Sequence, residues 1–310
     1  RPSRSPRGPR PALAPEPTPN RMPIDLIANV VVAGILTGMV YGLMALGLSV
    51  IFGVVRVVNF AHGEMMTIAM YAAVVLFAQW QVDPFLAALP VALLFFGFGY
   101  ALQAGLINRF IGRPEHSQFM LLVALAMIMI NVMLMVFGPS ARNVMVDYQL
   151  DSFELGALLL DKARVYAALA ALATAAALFA FFRYTLTGKA IRACADNHLG
   201  AKVVGLNVGR YYALTFGLGS ACVAVAGCLM VLLVDVTPVL GPAYTLLAFV
   251  IVIVGGLGSM GGALLGGVLI GLSEALAGLF IAPSAKSMFS FALLIAVLLL
   301  RPQGLLGRRA

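Results

Sequence analysis

The chain has 310 residues, of which 62% are apolar and only 10% charged, against about a quarter charged in an average soluble domain. That balance excludes a soluble globular enzyme and leaves no length for a separate catalytic domain beside a membrane domain. A formal net charge of +8 invites a nucleic-acid reading, yet half of it lies in residues 1–21, and no folded basic face remains elsewhere.

Residues 1–21 hold seven prolines and five arginines, a composition that cannot bury a core. We expect this segment to be disordered, and Met22, followed by a plausible membrane entry, to be the natural start. The membrane domain then runs over residues 22–310.

From residue 26 onward the chain is a series of long charge-free runs: 26–55, 65–82, 84–108, 117–141, 165–182, 211–234 and 236–273. A bilayer core is about 30 Å thick, so about 20 apolar helical residues cross it. Soluble helices need a polar face and could not absorb so many such runs. The reading is an all-α polytopic membrane protein with nine crossings. The count is eight if the Gly-rich stretch 255–262 is re-entrant.

The first run would extend about 45 Å as a helix, so it must tilt, break or project beyond the bilayer. Gly34, Gly38 and Gly42 line one of its faces, and Gly258, Gly262 and Gly266 repeat the spacing later. Small residues four apart let two helix backbones approach closely. Such stripes serve either plain helix packing or a path whose helices slide.

Asn59, His62 and Glu64 fall at the start of the second run. There Asn59 could cap free backbone N–H groups, and Glu64 would interact favourably with the positive end of a helix. Glu274, with Ser273 beside it, stands inside an apolar stretch. Ionisable groups within membrane helices are costly and become functional candidates by default. Capping with interhelical hydrogen bonding and gating of a path are both open for these four residues. Gln103 and Asn131 are weaker candidates and read as hydrogen-bonded packing. Cys194, Cys222 and Cys228 read as small packing residues, and the three histidines show no metal-ligand spacing.

Basic residues in short loops set orientation. The 183–210 segment carries Arg183, Lys189, Arg192, Lys202 and Arg210 against Asp196. It belongs in the cytoplasm with Arg109 and Arg113 and the tail residues Arg301, Arg308 and Arg309. The acidic 138–164 loop faces outside. Within the long cytoplasmic loop, residues 187–208 have helical spacing. Ala190, Ile191, Cys194, Ala201, Val204 and Leu206 form an apolar face, and Gly205 acts as a stop. An amphipathic surface helix of this kind can dock into a groove on a partner, although a solvated topogenic loop has the same composition.

Four segments resemble branched-chain amino-acid ABC permeases. They are Asn59-Phe60-Ala61-His62-Gly63-Glu64; Arg192 to Asn197 with Gly205-Leu206-Asn207; Gly255 to Ala263 with Gly271 to Ala275; and Arg301 to Gly307. Together they cover the chain from about residue 24 to 308 in family order, and the first is closest to the LivH-like type. The resemblance implies a subunit of an ATP-driven importer in a bacterial inner membrane, forming half of a path for leucine, isoleucine and valine, with urea, amides or other amino acids imported by relatives. It implies a second, LivM-like permease, two ATPases and a periplasmic solute-binding protein as partners. It also implies that Arg192, Asp196 and Gly205 belong to the ATPase-coupling loop.

The residues agree that energy comes from elsewhere. A phosphate-cradling loop needs Gly, four residues, then Gly-Lys-Ser/Thr, and the only Gly-Lys, Gly188-Lys189, is followed by Ala190. The chain is therefore expected to hold no cofactor, with ATP and Mg on the partner ATPases. Two rivals can be weighed. An intramembrane hydrolase lacks a suitable serine motif around Ser259. An ion-coupled carrier could use Glu274 beside the Gly-rich break, but it has no need of a docking helix at 187–208.

Overall fold

The computed structural model of the protein describes residues 24–156, 158–282 and 286–307. The arm 1–21, and Arg308 and Arg309 of the tail, lie outside the described residues. Eleven α-helices follow one another: α1 Ile24–Val55, α2 His62–Trp80, α3 Pro84–Gly105, α4 Glu115–Phe137, α5 Lys162–Tyr184, α6 Leu186–Asp196, α7 His198–Val203, α8 Val208–Met230, α9 Gly241–Gly255, α10 Met260–Phe280 and α11 Lys286–Leu300. Seven are long and apolar enough to cross a bilayer, and α9 and α11 are shorter apolar helices. Nine apolar helices are thus found among the described residues. The chain is a helical polytopic membrane protein.

The core is built on α1, α8 and α10. Along α1, Leu43 to Leu46 are fully buried, as are Val223, Ala224 and Cys228 of α8. The α1 glycine stripe lies directly on α10. A Cβ at Gly38 would stand 2.7 Å from both the Gly267 carbonyl oxygen and the Val268 Cα, and one at Gly34 would stand 2.7 Å from the Ala275 Cβ. The α10 partners are therefore Gly267 and Gly271. Gly262 and Gly266 face α9 instead, against Gly255 and Ile251. Gly258 is not on a helix at all: it occupies the turn before α10 with φ +76°, against Gly53. Periodicity showed the stripes, but backbone direction decides which helix each one meets.

The 255–262 stretch forms a turn between two helices, with Ser259 capping α10 through the Gly262 N–H at 3.1 Å. The tail is fastened onto this turn. Leu305 and Leu306 donate backbone hydrogen bonds to the carbonyls of Val254 and Gly255, both at 2.9 Å. At the opposite end, the 138–161 loop adds an element not foreseen, an antiparallel hairpin of β1 Ser152–Leu155 and β2 Leu158–Asp161. Asn29 of α1 joins it by accepting the Leu159 N–H at 2.8 Å. Acidic loop and basic loops thus lie at opposite ends of the bundle, as the orientation reading requires. All three cysteines are buried.

Candidate functional site

Three places bring the singled-out residues together: the start of α2, the end of the α1–α10 seam beside the basic loops, called inner after the orientation expected from sequence, and the opposite end beside the acidic hairpin, called outer.

At the first, Asn59, His62 and Glu64 are almost wholly buried, with 0, 0 and 2% of their surface exposed. They were expected at a helix start, and α2 does begin at His62. The structure puts them deep in the bundle, because the His62 ring nitrogen Nε2 is 3.0 Å from the carbonyl of Met44. Helix α1 continues eleven residues beyond Met44, about 16 Å at 1.5 Å per residue. After α1 the chain therefore climbs back beside it without helical structure, and α2 begins at mid-depth.

The cap also differs from expectation. Ala61 is the N-cap of α2 and offers no side-chain bond, while Asn59 accepts the Ala61 N–H at 3.1 Å, one step before the helix. The free N–H of Gly63 is satisfied from a distant element. It donates to the Thr245 hydroxyl of α9 at 2.9 Å, and that hydroxyl contacts Glu64 Oε2 at 3.2 Å. Gly241, the first residue of α9, abuts Glu64 directly. Two helices thus start side by side inside the bundle. Helix α9 spans only about 22 Å, less than a bilayer core. Thr245 was missed; a lone threonine four residues after Gly241 in an apolar run was the only signal.

At the inner end, a cavity of about 1020 Å³ lies between the end of α1, α5, α6 and the α9–α10 turn. Arg56, Lys189, Arg192 and Asp196 line it with Ser49 and Ser259. Arg56 was not singled out, although it is the first charge after a 30-residue apolar run and holds the left-handed φ of +57°.

The 187–208 segment holds two short helices, α6 and α7, rather than one. Thr185 caps α6 by accepting the Gly188 N–H at 3.0 Å, and Asn197, in extended conformation, starts α7 by accepting the Gly200 N–H at 2.9 Å. Ile191, Cys194 and Ala201 are buried as an apolar face requires. Val204, expected on that face, is 75% exposed because the chain has already turned after Val203, towards Gly205 at φ +87°. Leu199 and Val203 are exposed beside it. Burial of Cys194 pushes its thiol pKa above the usual range.

At the outer end, Glu274 accepts a hydrogen bond from Ser290 of α11 at 2.9 Å and borders a cavity of about 420 Å³. It is not brought to Asn59, His62 or Glu64. Gln103 is buried and donates to Asn108 at 3.0 Å; Asn131 is exposed on α4 and donates to the Met127 carbonyl at 2.7 Å.

Residues 30–298 match the family described as the permease component of branched-chain amino acid transport systems. The chain belongs to this permease family. The permease is 32% identical over 297 residues to the high-affinity branched-chain amino acid transport system permease protein LivH of Escherichia coli K12, covering 89% of this chain and 94% of that one. LivH of Salmonella typhimurium is 31% identical with the same coverage. BraD of Pseudomonas aeruginosa, a permease protein of the same description, is 30% identical over 305 residues, again covering 89% and 94%. No solved structure matches the permease.

Proposed function

We propose that this chain is one of two permease subunits of a binding-protein-dependent importer in a bacterial inner membrane, and that leucine, isoleucine and valine are its cargo. The second subunit is LivM-like, two cytoplasmic ATPases carry the ATP and Mg, and a periplasmic protein delivers the solute. The substrate class follows the names of the relatives; the mode of drive follows the loop.

One observation carries this reading: Leu199, Val203 and Val204 are exposed on and just after α7, while α6 is anchored to the bundle by Ile191 and Cys194. An anchored segment presenting three uncovered aliphatic side chains suits docking in a partner's groove. Contact is tight at its root, where a Cβ on Gly188 would lie 2.6 Å from the Phe182 Cα at the end of α5. Force on α6 and α7 would therefore pass into α5, and from there to the inner cavity.

The test is co-purification and uptake. The wild-type chain should bring ATPase subunits with it and support ATP-dependent uptake of radiolabelled leucine. Val203→Asp with Val204→Asp should lose both while the chain still reaches the membrane. Retained ATPase association in that variant, or uptake by the purified chain alone, would defeat the reading.

A further inference from the structure

The smaller, outer cavity has a lining that divides by chemistry. Val30 of α1, Leu233 beyond α8 and Leu279 of α10 make apolar wall. Glu274 supplies one carboxylate, and Arg164 of α5 and Lys286 of α11 supply two cations at the outer rim. Its volume of about 420 Å³ lies within the roughly 300–1,000 Å³ of small-molecule sites.

No salt bridge joins these charges among the described residues, although Lys286 is close enough to attract the Glu274 carboxylate. The neutral Ser290 hydroxyl donates to Glu274 at 2.9 Å, and Tyr41 lines the same cavity. Arg164 turns its Nε to Asp161 at 3.5 Å, with both side chains 40% exposed, and Lys286 forms no salt bridge with a described residue. A structural ion pair would close onto Glu274. Here a carboxylate at the floor and two cations at the rim line one open, half-apolar space without closing into a salt bridge.

We propose that this cavity is a receiving site for a zwitterionic amino acid with a branched aliphatic side chain, entered from the outer face. The α-ammonium sits on Glu274, the α-carboxylate turns to Arg164 and Lys286, and the side chain lies on Val30, Leu233 and Leu279. A cavity open at one end places charge recognition where water still reaches it, which suits an ionisable group in a membrane bundle. The floor is closed inward by the α1–α10 contact at Gly34 and Gly271. The proposal rests on the branched-chain reading above and names where this chain itself meets the cargo.

The experiment is equilibrium binding of tritiated L-leucine to the full chain in lipid nanodiscs. Unlabelled leucine, isoleucine and valine should displace it. Leucinamide, which lacks the carboxylate, and 4-methylpentanoate, which lacks the ammonium, should be at least tenfold weaker competitors. Glu274→Gln should weaken leucine binding at least tenfold, and Arg164→Gln about threefold or more. Should Glu274→Gln not purify as a single species, the rim variants Arg164→Gln and Lys286→Gln carry the test. Unchanged leucine affinity in these variants, or no saturable binding by the wild type, overturns the site. Cellular leucine uptake separates the two failures. Intact uptake with no binding here removes only this site, whereas cells that take up no branched-chain amino acid through the wild-type chain refute the functional reading itself.

Discussion

The contact between α1 and α10 makes a quantitative demand on Gly38. A methyl group there would lie 2.7 Å from the Gly267 carbonyl oxygen and the Val268 Cα, about 0.7 Å inside ordinary contact at 3.4 Å. Both obstacles are backbone, so no rotamer change relieves them, and a leucine adds three further carbons to the clash. Forcing extra methylenes into a close-packed seam costs about 1–3 kcal/mol, occasionally more. Replacing a helical glycine returns about 0.8–1 kcal/mol of helix propensity, and a control removes that offset. Gly97 of α3 is helical too, but a Cβ there meets nothing within 4 Å. Gly38→Leu should therefore be less stable than Gly97→Leu by about 3 kcal/mol. Thermal aggregation of the purified proteins in one detergent measures the difference. Equal midpoints for the two variants would refute the argument, because they would mean that the seam opens freely.

Other outcomes follow from the same reasoning. Thr245→Val removes the partner of the Gly63 N–H and of Glu64 in a buried place, so it should cost about 1–3 kcal/mol; an unchanged melting midpoint would show that the bond is dispensable. Gly205→Val has open space around it but the wrong φ, so it should strain the turn by about 1–3 kcal/mol and lower leucine uptake per ATP hydrolysed; unchanged coupling would free Gly205 of that role. With Cys222 and Cys228 replaced by alanine, maleimide labelling of Cys194 should rise only above the usual thiol range near pH 8.5, because burial raises its pKa in the folded state. By the same sign, the stabilisation from the neutral thiol is complete below the ordinary thiol pKa and is lost as pH climbs through the raised value. Labelling at pH 7 as fast as in denatured protein would contradict this.

The membrane helices were readable because a crossing must satisfy its backbone internally, which forces long charge-free runs. That the acidic and basic loops fall at opposite ends was readable because Lys189 and Arg192 are separated from Asp147 and Asp151 by one crossing, α5. The depth at which a helix starts was not. Apart from Asn59, Asp235 and Thr237, residues 57–61 and 231–240 are apolar and read as parts of crossings, and only the Met44–His62 and Gly63–Thr245 contacts reveal that α2 and α9 begin inside the bundle. Asn197, three residues before Gly200, carried the signal for splitting α6 from α7, but a continuous apolar spacing overrode it. Arg164 and Lys286 were not singled out, since nothing in sequence brings them into one cavity with Glu274.

The two cavities have an electrical consequence. Tyr41 lines the outer one and Ser49 the inner one, eight residues apart on α1, or about 12 Å. Solvent in each pocket carries the bulk potential to its base, so a transmembrane voltage falls across that thin wall rather than across about 30 Å of hydrocarbon. Each unit of net charge crossing it meets about 2.3 kcal/mol per 100 mV. A dipolar solute with no net charge escapes that toll, and its uptake should proceed equally in polarised and depolarised cells.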